Sequence, residues 1–175
     1  LGLPIAYLVR ARFVLLRDTG AAISPTNAFQ IIQGLETLPL RFRVHQENAQ
    51  RVADFLSERS EVSEVIYPGL FQNPRDRKRN RKYLETGNGP MVGFELKGGK
   101  QAGQKFIDNL QMVYHVANVG DVRTLAIHPA STTHSQLSAV DQEKTGVTPG
   151  YVRLCIGLEH IDDILADLTQ ALEKT

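Results

Sequence analysis

Tryptophan is absent from the 175 residues, and cysteine occurs once, at Cys155. A single thiol excludes an internal disulfide framework and suits a reducing compartment, so a cytoplasmic location is expected. No apolar run approaches the roughly 20 residues that span a bilayer, and no membrane partner is expected. Charge of one sign is also lacking: 20 Lys and Arg stand against 19 Asp and Glu, which gives no mandate for nucleic acid. Arg10 and Arg12 interrupt the first apolar stretch, so it does not read as a signal peptide. Because the chain opens on Leu1 rather than methionine, it is expected to be cut from something longer. What is present is globular in character, with 42% hydrophobic and 22% charged residues, enough for one ordinary domain.

Periodicity supplies the elements. Ile5, Leu8, Val9, Phe13 and Leu16 recur at helical spacing and predict an amphipathic helix that needs a partner surface, stopped at Gly20. Ser24-Pro25 announces a second helix. Pro39 is expected to kink it, because helical spacing resumes at Ala49, Val52, Ala53 and Leu56. Strands are expected at 62–67, 89–96, 112–116, 124–127 and 151–156. Helices are expected at 101–110, at 137–144 with Ser135 as a cap, and at 161–172, where Asp162 and Asp163 suit the first turn. Strands and helices in this order, with short connections, favour an α+β layer: a mainly antiparallel small sheet with helices on one face.

The chemistry-bearing stretch is Val116–His134, VANVGDVRTLAIHPASTTH. Asn118, Gly120 and Asp121 suit a tight turn between two short apolar runs, and a cluster of small hydroxyls follows Pro129. A loop so rich in directional groups suits a binding site, although turn capping alone also accounts for those residues. His128 and His134 lack metal-ligand spacing. The basic run Arg75–Lys82 carries no interleaved aromatics and reads as a solvated helix face rather than an RNA-binding patch.

Arg153 is the leading candidate. It lies inside the apolar strand Tyr151–Ile156, where alternation puts Tyr151, Arg153 and Cys155 on one face. A guanidinium in mid-strand needs a partner, and its planar fork fits a carboxylate. From the residues alone, that carboxylate is equally an internal one, such as Asp121, or a ligand's. Cys155 reads as a small buried residue rather than a nucleophile.

The strings ANVGD, TLAIHPASTTHSQL and GVTPGYVRLCIGLEHIDDILADL resemble the C-terminal part of the O-acetylhomoserine sulfhydrylases. These belong to the pyridoxal 5'-phosphate (PLP)-dependent Cys/Met-metabolism enzymes, and the resemblance runs from about Leu16 to Leu172. It implies the C-terminal small domain of the aspartate-aminotransferase-like architecture (PLP fold type I). On that basis residues 1–23 are the end of a PLP-binding large domain, 24–59 a long kinked linker helix, and 60–175 the small domain. Arg153 matches the arginine that holds the substrate α-carboxylate. Thr124 matches a hydroxyl position, usually serine, near the cofactor-bearing lysine, and Asn118 helps shape the same end. Cys155 stands where serine is common.

No lysine of this chain lies in the family's Schiff-base motif, so no catalytic residue is expected here, and the chain alone is expected to be inactive. The implied reaction of the complete enzyme is replacement of acetate on O-acetylhomoserine by sulfide, giving homocysteine for methionine biosynthesis, in a homotetramer. A cystathionine γ-synthase or a β/γ-lyase is the alternative within the class. A free-standing amino-acid-binding module is the alternative outside it.

Overall fold

The computed structural model describes residues 4–175, which divide into two units, residues 4–39 and 40–175. In the first unit a continuous helix runs through α1 (Ala6–Arg10), a π-helical stretch (Ala11–Leu16) and α2 (Arg17–Thr19). It stops at Gly20, whose φ of 63° is the left-handed conformation that glycine adopts without a Cβ clash. The helix α3 (Pro25–Glu36) starts as its sequence dictates, with Ser24 Oγ accepting the Asn27 N–H at 3.1 Å. None of the described residues of this unit is buried.

The helix α4 (Leu38–Ser57) follows after the single residue Thr37. Pro39, expected to bend one long helix, instead lies in the first turn of a new one, where its missing N–H costs no hydrogen bond.

The second unit carries a five-stranded sheet in the order β1-β2-β5-β4-β3. Its strands are β1 (Val62–Ile66), β2 (Met91–Leu96), β3 (Tyr114–His115), β4 (Leu125–Ile127) and β5 (Tyr151–Cys155). All neighbours pair antiparallel except β3 with β4. One face is covered: Val92, Phe94, Leu96, Val152, Leu154 and Ile156 pack into a core with Ala49, Val52, Ala53 and Leu56 of α4. Phe106 of α6 (Gly99–Asn109) meets Phe94 edge-to-face at 5.4 Å, and Ile164, Leu168 and Leu172 of α8 (Ile161–Leu172) complete that layer. This is the expected α+β arrangement, with the helical layer on one side of a mainly antiparallel sheet. The basic run becomes α5 (Pro74–Tyr83), a helix with no buried residue.

Several boundaries move by one or two residues from the sequence reading, and two of the differences have a clear local reason. The strand expected over 112–116 shrinks to Tyr114–His115 because the N–H groups of Gln111, Met112 and Val113 donate to the Asp167 carboxylate instead of to a sheet partner. The helix expected from Leu137 with a Ser135 cap is α7 (Ala139–Lys144), capped by Ser138. Ser138 Oγ accepts the Asp141 N–H at 3.2 Å and donates to Asp141 Oδ2 at 2.7 Å, a capping pair that outcompetes Ser135.

Candidate functional site

Arg153 sits at the centre of the sheet, opposite Gly93 on β2 and Ile127 on β4. Since Val152 and Leu154 point into the helical layer, Arg153 projects from the opposite face together with Tyr151 and Cys155. Cys155 is a free, buried thiol. The loop 116–124 joins parallel neighbours and must therefore return along the sheet. Its return runs on the Arg153 face, because Asn118 O lies 3.5 Å from Arg153 Nη2.

That long contact is the only hydrogen bond Arg153 makes among the described residues. Its Nε is buried with no acceptor at all. No carboxylate among the described residues pairs with it: Asp121 instead accepts the Arg123 N–H at 3.0 Å, closing its own turn. Among the described residues, Arg153 thus forms no ion pair with Asp121 or with another acid. The guanidinium is half-buried, and its Nε is a buried donor left unsatisfied among the described residues.

Asn118 and Thr124 frame this cation differently. The Asn118 side chain serves its own loop, Oδ1 accepting the Val119 N–H at 2.9 Å, while its carbonyl faces the arginine. Arg123 lies over the Tyr114 ring at 4.7 Å and ties the same loop to β3. Thr124 is fully buried. Its hydroxyl donates to Glu159 Oε2 at 2.8 Å and accepts the Gly157 N–H at 2.9 Å, while its own N–H donates to Glu159 Oε1 at 2.7 Å. The structure thus brings Asn118 to Arg153 and turns the Thr124 hydroxyl into a clamp on the segment that follows β5. Gly157 is required there, since a Cβ on it would lie 2.4 Å from Arg123 C and Thr124 N.

Three participants escaped the sequence reading. His45 Nδ1 donates to Ile156 O at 2.6 Å, and Asn48 Nδ2 donates to Gly157 O and Glu159 O, both at 3.1 Å. Both are buried on α4, so the 156–159 segment is held from the helical side by these two and from the other side by Thr124. The available signal was a polar pair three residues apart beside the apolar stripe of Ala49, Val52 and Leu56. Glu159, the third, carried no signal beyond its nearness to the arginine strand.

The histidines of the 116–134 stretch have local duties. His128 is buried, its Nε2 donating to Pro149 O at 2.8 Å and its Nδ1 facing Ser131 Oγ at 2.8 Å. Burial lowers its pKa, so near neutral pH the ring is uncharged, with Nδ1 left to accept. His134 Nδ1 faces Thr133 Oγ1 at 2.9 Å. No group of three or more metal-ligating side chains occurs among the described residues.

A cofactor aldehyde needs a lysine activated by burial. All seven lysines of this chain, at positions 78, 82, 97, 100, 105, 144 and 174, are exposed. Those with polar partners serve the surface: Lys97 donates to Ser60 O, Lys144 pairs with Asp141, and Lys174 donates to Gln170. The residues present fit a carboxylate but do not by themselves fit a pyridoxal phosphate site. No helix among the described residues is long and apolar enough to cross a membrane.

The chain is 53% identical to an O-acetyl-L-homoserine sulfhydrylase of Leptospira meyeri over 174 residues, which is 99% of this chain and 39% of the relative. It is 48% identical to O-acetyl-L-homoserine sulfhydrylase 1 of Thermus thermophilus, over 96% of this chain and 40% of the relative. It is also 43% identical to an L-methionine gamma-lyase of Fusobacterium nucleatum, over 93% of this chain and 41% of that protein. Among solved structures, a Campylobacter jejuni chain assigned as an O-acetylhomoserine (thiol)-lyase, containing a pyridoxyl-lysine phosphate, superposes with a TM-score of 0.86 at 41% identity. The match covers 99% of this chain and 41% of that one. The chain thus spans about two fifths of the length of these relatives. With residues 6–173 matched, it belongs to the Cys/Met metabolism PLP-dependent enzyme family.

Proposed function

We propose that this chain forms the substrate-carboxylate end of the site of a PLP-dependent O-acetylhomoserine sulfhydrylase. The observation that carries this reading is the guanidinium of Arg153, half-buried in mid-sheet, with an orphan Nε and no counter-charge among the described residues. Its planar guanidinium fork receives the α-carboxylate of an amino acid as a bidentate pair. Asn118 O limits how far the guanidinium swings, and the Thr124–Glu159–Gly157 clamp fixes the two segments that flank it. The residues that hold the cofactor belong to other parts of the complete protein.

The net reaction is a replacement at the γ-carbon: the C–O bond to acetate breaks, a C–S bond to sulfide forms, and acetate leaves with the bonding pair. The product is homocysteine, made for methionine biosynthesis by a cytoplasmic homotetramer. Holding the carboxylate leaves the far end of the substrate free to present its leaving group. The named relatives support the sulfhydrylase reading, and comparing O-acetylhomoserine plus sulfide with methionine alone as substrates tests it against a lyase.

The residue-level test is Arg153→Ala and Arg153→Lys in the complete protein. Losing a charge-assisted bidentate pair raises KM for the amino-acid substrate about 30- to 100-fold. Lysine keeps the charge without the fork and falls between. An unchanged KM in Arg153→Ala overturns the reading.

A further inference from the structure

Gly93 faces Arg153 across the β2–β5 ladder, and Tyr151 stands two residues before Arg153 on the same face. The Tyr151 ring is folded over Gly93: a Cβ at that glycine would lie 2.6 Å from the phenol oxygen, 2.7 Å from Cε2 and 3.0 Å from Cζ. The backbone at Gly93 is not in the left-handed region, so its own chain path does not require glycine. The close approach of the tyrosine does. Without the ring, the space over Gly93 would be open to the neighbouring arginine. Its stem could then lie flat across β2 and bury its methylenes there, as long cationic side chains do. With the ring in place, that direction is blocked, and the guanidinium extends to the loop 116–124, where Asn118 O meets it.

We propose that Tyr151 is a positioning residue for Arg153, its ring filling the notch at Gly93 so that the guanidinium is aimed toward the substrate carboxylate. This inference rests on the carboxylate reading above and deepens it. Other features of the structure agree with it. The Tyr151 hydroxyl has no hydrogen-bond partner among the described residues, so the ring is held by packing rather than by a polar anchor. Burial pushes the phenol pKa up, while the Arg153 charge pulls it the other way, which marks the two side chains as electrostatic neighbours. On the far side of Arg153, Ile127 is buried and offers no polar alternative. The arginine thus stands between an aromatic wall and an aliphatic one.

The notch makes the test a coupled pair. In the complete protein, Tyr151→Ala frees the arginine and raises KM for the amino-acid substrate about tenfold, with kcat changed by less than about threefold. Tyr151→Phe keeps the ring and restores KM to within about twofold of the parent. Gly93→Ala expels the ring and reproduces the KM of Tyr151→Ala, whereas the double variant Gly93→Ala/Tyr151→Ala is no worse than either single change. A second reading needs no turnover: phenylglyoxal labels Arg153, followed by peptide mass, faster in Tyr151→Ala than in the parent or Tyr151→Phe. Thermal unfolding of each variant separates positioning from loss of fold, and the Tyr151 variants decide the matter should Gly93→Ala not fold.

The inference is overturned if Tyr151→Ala leaves both KM and the labelling rate unchanged while Arg153→Ala raises KM. It is also overturned if the Gly93 and Tyr151 effects simply add. An unchanged KM in Arg153→Ala sinks the carboxylate reading itself, and this inference with it.

Discussion

Replacing Thr124 by valine separates two roles for one hydroxyl. Valine has nearly the same shape, so no cavity opens and packing is held constant. What disappears is one oxygen that accepts the Gly157 N–H at 2.9 Å and donates to Glu159 Oε2 at 2.8 Å. Thr124 is 0% exposed, so water does not replace either partner. A buried donor left without an acceptor costs roughly 1–3 kcal/mol, and a lost hydrogen bond to a carboxylate costs a similar amount. Glu159 keeps the Thr124 backbone N–H, which softens the second loss. The expected destabilisation is therefore about 2–4 kcal/mol, toward the upper part of what a single substitution does. Thr124→Ser removes only a methyl group and costs about 1 kcal/mol. Urea unfolding of the three proteins, with equal m-values, reads the difference directly. The reasoning fails if Thr124→Val unfolds like the parent yet raises the substrate KM, because the hydroxyl would then be serving the ligand rather than the fold.

Two further changes test the frame around the site. Gly103→Ala is expected to destabilise by about 1–3 kcal/mol despite alanine's better helix propensity. The added Cβ would lie 2.4 Å from His128 Cδ2 and Nε2, and hydrogen bonds at both ring nitrogens prevent His128 from moving aside. Thermal denaturation checks it, and a stabilised variant refutes it. Asp167→Asn is expected to flatten the acid limb of the stability curve. Burial pushes this carboxyl up, but the N–H groups of Val113, Gln111 and Met112, with the Gln170 side chain, outweigh burial and hold its pKa below the ordinary aspartate value of 3.8. A depressed folded pKa adds stability that is complete above the unfolded value and is lost as pH falls through the folded one. Urea midpoints measured from neutral to acid pH should fall less steeply in Asp167→Asn, and parallel curves would refute the linkage.

The elements that were legible in the sequence are those whose burial pattern is periodic. The stripe at 161, 164, 165, 168, 171 and 172 specified α8 to the residue, and the alternation of Tyr151–Ile156 specified both β5 and the face from which Arg153 projects. The boundaries that moved were set by hydrogen bonds between residues far apart in the chain, or by two caps in competition. Nothing near Met112 indicates that its N–H will be taken by Asp167, a residue that itself interrupts the apolar pattern of α8. Nor does the spacing alone decide between Ser135 and Ser138, until Asp141 is recognised as the second half of a capping pair.

The site divides along the same line. Arg153 was legible because a charge inside an apolar strand violates the local rule, and such violations concentrate where a ligand is to be met. The residues that hold the frame around it obey every local rule and so went unseen. His45 and Asn48 look like the polar margin of an amphipathic helix, and Glu159 looks like a loop acid. Each becomes informative only after the turn at Gly157 is seen pressed against Arg123 and Thr124, leaving no room for a side chain or for water. Tyr151 and Gly93 are the same case at closer range. An aromatic and a glycine in neighbouring strands are unremarkable until the register places one on top of the other, beside the single cation that the sheet leaves unpaired. The sequence pattern therefore locates the charge, whereas the cross-strand register determines what aims it.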